Sequence, residues 1–311
     1  MADQKRYVIG VDGGGSKTHA LLVGSDGAVA AESHGGPSNL QREGIHKACI
    51  TIFELFLDCC RQAQCTCEHV HNIVLGLSGA GRASDRTELI EGLLALGLKR
   101  RFPLKRVQVE TDVRVALEAA FAGAPGIVLI SGTGSIALYR TEDSQFLRAG
   151  GWGYILGDEG SGYAIARDGL NAVLRQQDGR SEKTLLTKKA LECFGESTVD
   201  GLITKIYVDH ADIASFAPKV FEATVERDRV ATGVLIKNST ELVELVRVLV
   251  MQVRPKKKLP VALMGGLLDA ENVYSKMVRD KIIHALPHVV VQKPKFAAAF
   301  GAAMLGLNAF R

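Results

Sequence analysis

The segment best suited to chemistry begins where an apolar run ends. Tyr7–Val11 leads into Asp12, three consecutive glycines and a short polar stretch. Glycines let several backbone N–H groups converge on one anion. From His19 onward a strand pattern resumes, so the segment is predicted to be the tip of a β-hairpin. We therefore predict a phosphate-binding turn that consists of Asp12, Gly13, Gly14, Gly15, Ser16, Lys17 and Thr18.

Neither of the two best-known nucleotide motifs fits this segment. In a P-loop or a dinucleotide-binding fold the glycines open a helix, whereas here they lead back into a strand. Ser16 also stands where the P-loop pattern requires lysine, and Lys17 comes one position late. The remaining alternative is a hairpin turn without a ligand, which needs only one or two glycines.

The same pattern recurs in the second half of the chain. At a constant offset of 119 positions, the apolar run Ile127–Ile130 leads into a second glycine turn and a second hairpin, with Ser131 at the place of Asp12. A repeated unit with a phosphate-type turn in each copy predicts two lobes that face each other across a nucleotide. The second turn consists of Ser131, Gly132, Thr133, Gly134 and Ser135.

A single carboxylate follows another strand of the first half. Arg106–Thr111 has the pattern of a strand, and Asp112 comes directly after it. Sheets of α/β proteins place functional groups at the carboxyl ends of their strands, and a hinge nearby would bring this one to a substrate. We predict that Asp112 is a general base; the alternative is that it caps the helix predicted from Val113.

The elements that position these residues alternate between strand and helix. Three hairpin strands precede helix, strand, helix and strand in the first half, and the second half repeats this order around a helical stretch. The fold class predicted is α/β, with two ribonuclease-H-like lobes and a helical insertion in the second. The lobes are predicted at 1–113 and 114–311, with the insertion at about 161–253 and a C-terminal helix, 294–311, that could return to the first lobe.

Composition indicates a globular protein without a nucleic-acid or membrane partner. The 311 residues, 47% of them hydrophobic and 23% charged, suffice for two domains with cores. The formal charge of +4 is mild, and the basic clusters Lys99–Arg101 and Lys256–Lys258 fall in predicted turns. With no signal-peptide pattern before Tyr7 and no long apolar run, we predict a cytoplasmic location.

The cysteines allow two interpretations. Four of the six crowd the end of the first long predicted helix, at positions 59, 60, 65 and 67. Cys65 and Cys67 are separated by one residue, not by the two of zinc knuckles, so reduced and partly buried thiols are predicted. A metal site is the alternative, because His69 and His71 lie close in sequence.

In this order, the motifs resemble those of the actin, heat-shock chaperone and sugar kinase superfamily. Within it they resemble the family that groups N-acetylglucosamine and glucosamine kinases with the BadF/BadG/BcrA/BcrD ATPases. The resemblance covers nearly the whole chain and implies an actin-like ATPase fold. The motifs that carry it are Gly10–Thr18, Thr111–Asp112, Ser131–Ser135, Gly150–Gly153 with Gly157–Ser161, and Met264–Gly266.

The resemblance implies ATP and Mg²⁺ as cofactors. In such kinases the first glycine turn holds the β- and γ-phosphates with its amides, and an aspartate at the place of Asp12 positions the magnesium ion, usually through water. Ser131–Ser135 has the matching role in the other lobe. Phosphoryl transfer spreads charge over the equatorial oxygens, which a cation and aimed N–H donors stabilise. Lys17 resembles a residue near the phosphates, or is alternatively a solvated edge lysine.

The resemblance also implies residues that bind an amino sugar. The counterpart of Asp112 takes the proton from the sugar 6-hydroxyl. Asn39 resembles the asparagine that ends a similar loop in amino sugar kinases, although it is equally suited to cap a helix. Asp158 resembles an aspartate that accepts hydrogen bonds from ring hydroxyls, with capping of the helix after Gly160 as the alternative.

Four glycines and one serine complete the predicted site. Ser78, at another strand end, is a further candidate for substrate binding. Gly150 and Gly151 would let the backbone approach the sugar. Gly265 and Gly266 would let adenosine lie against the backbone, or alternatively form only a strand-to-helix turn.

The implied function is transfer of the γ-phosphate of ATP to the 6-hydroxyl of N-acetylglucosamine by a homodimeric sugar kinase. Glucosamine is an alternative acceptor, because the sequence shows no acetamide pocket. A further alternative is an ATPase activator of a 2-hydroxyacyl-CoA dehydratase or benzoyl-CoA reductase system, in which cluster cysteines lie beyond the second glycine turn. This chain has only Cys193 there. A transcription regulator is disfavoured, because no helix-turn-helix segment precedes Tyr7.

Overall fold

A computed structural model of the protein describes residues 6–253, 255 and 257–308. Its contacts divide the chain into two units. The first holds the residues up to Gly126, the turn Glu142–Ser144 and the residues from Lys293, and the second holds Ile127–Thr141 and Gln145–Gln292. Lys256, a member of one predicted basic cluster, lies outside the described residues.

A five-stranded sheet forms the centre of the first unit. Its strands are β1 (Tyr7–Gly13), β2 (Thr18–Gly24), β3 (Val29–Gly35), β4 (Val70–Leu77) and β5 (Val107–Thr111). They lie in the order β3-β2-β1-β4-β5, and β1 pairs antiparallel with β2 and parallel with β4. The helices that accompany this sheet are α1 (Leu40–Glu43), α2 (Ile45–Gln62), α3 (Ala83–Lys99) and α4 (Asp112–Phe121).

The second unit repeats this sheet and adds helices. Its strands are β6 (Gly126–Ser131), β7 (Ser135–Arg140), β8 (Phe146–Gly150), β9 (Leu259–Met264) and β10 (Val289–Gln292). Between β8 and β9 lie α5 (Gly162–Gln177), α6 (Leu186–Phe194), α7 (Val199–Tyr207), α8 (Ala217–Val225) and α9 (Arg229–Val253), and α10 (Val273–Ala285) separates β9 from β10. Side chains of these helices and of the sheet form one hydrophobic core.

The two sheets share one strand order. Read from the other edge, the second sheet runs β8-β7-β6-β9-β10, and each strand corresponds to its equivalent in the first sheet. The duplication predicted from two glycine turns is therefore a duplication of a whole sheet. The α/β class and the helical insertion in the second unit are confirmed.

The last helix of the chain, α11 (Ala298–Leu307), packs on the sheet of the first unit. Side chains of a strand alternate between the two faces, so β1 directs Ile9 and Val11 towards α2 and directs Val8 towards α11. Asn72 of β4 donates a hydrogen bond from Nδ2 to the carbonyl of Gly306 (3.3 Å). The C-terminal helix thus belongs to the first unit.

Helix α4 lies in the first unit as well. A Cβ at Gly301 of α11 would lie 2.2 Å from the carbonyl oxygen of Val115 in α4, so the two helices approach at backbone distance. The first unit therefore extends to Gly126, beyond the boundary predicted at residue 113. A hinge near Asp112 was predicted from sequence order, which carries no signal of the contact between α4 and a helix at the other end of the chain.

Apolar residues at helical spacing predict one helix from Gln41 to Gln62, but the structure has two helices there. Gly44 ends α1 and precedes α2 with a φ of 78°, a conformation that interrupts a helix and that glycine adopts without strain. The apolar period continues across this break, which is why the sequence pattern did not reveal it. Within the described residues, no helix has the length and apolar character required to cross a bilayer.

Candidate active site

The first glycine segment forms the tip of the β1-β2 hairpin, as predicted. Gly13 pairs with Thr18, and the N–H of Gly14 donates to the carbonyl of Lys17 (3.0 Å), which closes the loop. Ser16 and Lys17 have exposed side chains. The turn therefore presents backbone and polar side chains to solvent instead of opening a helix.

Gly36 and Ser38, which precede α1, form hydrogen bonds with residues of this turn. The hydroxyl of Thr18 is buried, donates to the carbonyl of Gly36 (2.6 Å) and lies 2.8 Å from Oγ of Ser38. A Cβ at Gly13 would lie 2.1 Å from the same Oγ, so only glycine fits there. The carbonyl of Gly14 accepts from the N–H of Ser38 (3.1 Å). Thr18 fastens the loop through its side chain, and Ser38 is a supporting residue that the sequence analysis did not identify.

Asp112 and Ser78 meet at the carboxyl ends of two neighbouring strands. Strands β4 and β5 are parallel, with Leu77 opposite Thr111, so the residues that follow both strands leave the same edge of the sheet. Oγ of Ser78 donates a hydrogen bond to Oδ2 of Asp112. The N–H of Ser78 donates to the carbonyl of Gly13 (2.9 Å), which connects this pair to the glycine turn.

The alternative that Asp112 caps a helix accounts for the contact of one of its two carboxylate oxygens. Asp112 is the first residue of α4, and its Oδ1 accepts from the N–H of Val113 (2.8 Å). Thr111 precedes the helix at the N-cap position without a capping hydrogen bond from its side chain. A carboxylate in the first turn is favoured by the helix dipole. One oxygen of Asp112 thus contacts the helix start, and the other contacts Ser78.

Asn39 is the N-cap of α1. Its Oδ1 accepts from the N–H groups of Gln41 (3.0 Å) and Arg42 (3.1 Å), so the capping alternative is present in the structure. Gly79, with a φ of 85°, brings the backbone after Ser78 beside this amide, since a Cβ there would lie 3.2 Å from Oδ1. Asn39 therefore adjoins the Ser78 and Asp112 pair, and its predicted role in sugar binding stays a prediction.

Two substitutions separate the roles of Asn39. Aspartate caps helices as well as asparagine does, but it lacks the Nδ2 donors, so Asn39→Asp is expected to retain the melting temperature and to raise KM for the sugar. Asn39→Ala removes both functions and is expected to cost about 0.5–2 kcal/mol of unfolding free energy as well. Thermal melts and sugar titrations of both variants measure this. If Asn39→Asp left KM unchanged, Asn39 would be a cap alone.

The second glycine turn is held by the segment before α5. Oγ of Ser131 donates to the carbonyl of Gly160 (2.8 Å), and Oγ of Ser135 donates to the carbonyl of Glu159 (2.7 Å). Both serines are buried, whereas Thr133 between them is exposed. The N–H of Gly132 donates to the carbonyl of Gly134 (2.9 Å) and shapes the tip.

Asp158 lies beside this second turn. A Cβ at Gly134 would lie 2.8 Å from its Oδ2, and its Oδ1 accepts from the N–H of Gly153 (3.3 Å). The residue is buried and has a φ of 59°, in the left-handed region that non-glycine residues rarely adopt. Ser161, not Asp158, caps α5 by accepting from the N–H of Ala164 (3.2 Å), so the capping alternative for Asp158 is wrong.

The other predicted glycines adjoin the same turn. The N–H of Gly151 donates to the carbonyl of Ser135 (3.0 Å), and both Gly150 and Gly151 have positive φ angles, of 73° and 72°. Gly265 has a φ of 93°, and a Cβ there would lie 2.6 Å from the carbonyl oxygen of Ser131. Gly266 follows it and is exposed. The structure thus brings the predicted residues of the second unit together around one loop.

Two buried polar residues that the sequence analysis missed hold Gly160. The hydroxyl of Tyr274 donates to the carbonyl of Gly160 (2.8 Å), and Oδ1 of Asn238 accepts from its N–H (3.1 Å). Burial raises the pKa of Tyr274 well above its ordinary value, so the hydroxyl remains a donor. The sequence signal that could have identified them is a polar side chain on a helix face that is otherwise apolar, Asn238 in α9 and Tyr274 in α10.

The cysteines have the character of core residues. Cys59 and Cys60 are buried in α2, and none of the six forms a disulfide. Burial raises the pKa of the Cys49 thiol to about 11 and that of Cys59 to about 12, so these thiols stay protonated at neutral pH. The prediction of buried thiols is confirmed for Cys49, Cys59 and Cys60, and the reduced state stays a prediction.

Residues 9–306 match the BadF/BadG/BcrA/BcrD ATPase family, and the chain belongs to that family. It is 33% identical over 307 residues to an N-acetylmuramic acid/N-acetylglucosamine kinase of Clostridium acetobutylicum, covering 96% of this chain and 98% of the relative. It is 30% identical over 318 residues to an N-acetyl-D-glucosamine kinase of Dictyostelium discoideum, covering 98% of each chain.

A solved structure has the same fold over almost its full length. It is that of a candidate N-acetylglucosamine kinase from Chromobacterium violaceum, which is 30% identical to this protein and aligns with a TM-score of 0.78. The alignment covers 97% of this chain and 99% of that one. The two duplicated sheets are therefore those of an actin-like ATPase fold.

Proposed function

We propose that the protein is an ATP-dependent sugar kinase that transfers the γ-phosphate to the 6-hydroxyl of N-acetylglucosamine. The observation that carries the proposal is the pair Asp112 and Ser78, which lies at the carboxyl ends of β5 and β4 and is tied to the first glycine turn through Gly13. An acceptor for a hydroxyl proton is thereby placed beside a phosphate-type loop. The named activities of the two relatives support an amino sugar as the acceptor.

Asp112 acts as the general base in this proposal. With Oδ2 it would accept the proton of the sugar hydroxyl, while Oδ1 stays on the N–H of Val113 and holds the side chain in one rotamer. Ser78 orients the carboxylate by donating to it. Asn39, adjacent to the pair, would donate from Nδ2 to a ring hydroxyl.

Backbone N–H groups of the first turn, Gly13–Thr18, would bind phosphate oxygens. The second turn, Ser131–Ser135, would offer its own N–H groups to phosphate in the same way. Glycine is required at positions 13 and 134, because a Cβ there would lie 2.1 Å from Oγ of Ser38 and 2.8 Å from Oδ2 of Asp158. Asp158 would accept from the sugar and Gly265 and Gly266 would adjoin adenosine. Gly150 and Gly151 would expose backbone to the substrate.

A magnesium ion fits the donor type available at Asp12. This aspartate ends the apolar part of β1 directly before Gly13 and is half-buried, and hard carboxylate oxygens with water are the ligands that Mg²⁺ prefers. When bound, the ion neutralises charge that develops on the phosphate oxygens. Asp12 would hold it through water.

An acceptor panel tests the proposal. ADP release, measured in a coupled assay with Mg-ATP, is expected to require a sugar and to be highest in kcat/KM with N-acetylglucosamine or N-acetylmuramic acid. Glucosamine, glucose and a sugar-free sample are the comparisons. ATP hydrolysis at full rate without sugar would contradict a kinase.

N-acetylmuramic acid is a second candidate acceptor. The relative that is 33% identical is named for both N-acetylated sugars. N-acetylmuramic acid differs from N-acetylglucosamine by a lactyl ether, which adds a carboxylate, so the ratio of the two kcat/KM values separates the candidates. The ATPase-activator alternative predicts iron in the purified protein and no sugar dependence. Cys193, the one cysteine beyond the second glycine turn, lies in α6.

A further inference from the structure

Three metal-binding side chains meet on one face of the β2-β3 pair. His19 of β2 stands opposite His34 of β3, and Glu32 lies two residues before His34. Residues two apart in a strand face the same side of the sheet. Ligand atoms of the three side chains all lie within 4.8 Å of one another, the one such group found among the described residues.

The distances in this group suit a tetrahedral ion. Nε2 of His19 lies 2.8 Å from Oε1 of Glu32, and Nε2 of His34 lies 3.1 Å from the same oxygen. In a tetrahedral zinc site with bonds of about 2.0–2.2 Å, neighbouring ligand atoms are about 3.3 Å apart. The two imidazole rings stack with centroids 4.5 Å apart and an angle of 13° between planes, so both nitrogens face the carboxylate from the same side.

We propose that His19, Glu32 and His34 form a binding site for a divalent transition-metal ion such as Zn²⁺. Two imidazole nitrogens and one carboxylate oxygen are a donor set typical of zinc, and also of nickel and copper, whereas Mg²⁺ prefers oxygen alone. Glu32 and His34 are exposed, so water can occupy the remaining position and the ion can reach the site from solvent.

The position of the His19 nitrogen supports metal binding over a simple ion pair. Nε2 of His19 is buried and lies 2.8 Å from Oε1 of Glu32 without the geometry of a hydrogen bond. A metal ion between them would bond to the electron pair of this nitrogen and to the carboxylate oxygen.

This site differs from the magnesium position proposed at Asp12. His19 pairs with Asp12 across β1 and β2, so the two positions are neighbours in the sheet but offer different donors. Binding of a transition metal can be measured without any kinase activity, so its test is separate from that of the kinase proposal.

Cobalt titration of the full, metal-free and reduced chain tests the site. We expect one equivalent of Co²⁺ to bind with visible d–d bands and no thiolate charge-transfer band, and Zn²⁺ to displace it. His34→Ala and Glu32→Gln each alter an exposed side chain and are expected to weaken binding by at least about tenfold, since loss of an outer-shell partner alone costs 10–100-fold. His46→Ala, at an exposed histidine outside the group, is the matched control and should bind as wild type.

Several outcomes would overturn the site. One is the absence of binding to wild type at micromolar Co²⁺, and another is unchanged affinity in His34→Ala, whose folding is verified by its melting temperature. A thiolate charge-transfer band that disappears in Cys65→Ser or Cys67→Ser would assign the metal to the cysteines instead.

Discussion

Asp112→Asn is expected to lower kcat by about 10²–10⁴-fold, the usual contribution of a positioned general base. Asparagine keeps the shape of the side chain. Its Oδ1 can accept from the N–H of Val113, and its Nδ2, at the place of Oδ2, can donate to Oγ of Ser78, so the start of α4 should persist. The amide cannot take a proton from a sugar hydroxyl. ATP binding, which is proposed to involve backbone amides of the glycine turns, should remain near that of wild type.

Steady-state kinetics and nucleotide titration of the same preparation measure the two effects separately. Asp85→Asn is the matched control, because Asp85 also lies in the first turn of a helix in the same unit, α3. It removes a similar charge at a helix start and should leave kcat nearly unchanged. A kcat close to wild type in Asp112→Asn would show that this carboxylate is structural and would remove the assigned base.

Gly10→Ala is expected to destabilise the first unit by at least about 1–3 kcal/mol, the range for overpacking a core. A Cβ at Gly10 would lie 2.2 Å from the carbonyl oxygen of Ala299 and 2.3 Å from the backbone nitrogen of Ala303. Both are backbone atoms of α11, which cannot turn away as a side chain would. The overlap between the added Cβ and these backbone atoms is removed only if α11 moves away from β1 or β1 shifts.

Chemical denaturation of Gly10→Ala measures this cost, and a lower melting temperature should accompany it. Gly81→Ala is the matched control, since Gly81 has no heavy atom within 4 Å of an added Cβ and no positive φ. Because β1 leads directly into the glycine turn, the Gly10 variant should also lose kinase activity before it unfolds. Equal stability of the two variants would mean that α11 does not pack on β1 as described.

The strands and helices followed from local patterns in most of the chain. The sequence pattern predicts one helix at Arg229–Val253, and α9 has those bounds. It also predicts breaks near Gly179, Gly195 and His210, and each of these lies between helices. The break at Gly44 was not predicted, because the apolar period of α2 continues through it and outweighs one glycine.

These local patterns could not predict how segments far apart in sequence pack against each other. The contact of α11 with α4 joins residues far apart in sequence, and it depends on small residues whose meaning is visible only when the partner backbone is in place. Nothing in the sequence indicated that Gly301 and Gly10 pack against a helix, yet a Cβ at either position would lie 2.2 Å from a backbone oxygen of a neighbouring helix.

By itself, the sequence determined the duplication, the two hairpin turns and the identity of the residues at strand ends, because these depend on local spacing and on the alternation of side chains. Only the tertiary structure decided which of these residues meet. Parallel pairing of β4 and β5 brought Ser78 to Asp112, and the segment before α5 brought Asp158 to Gly134. It also joined His19, Glu32 and His34, since strand register, unlike sequence spacing, sets which side chains share a face.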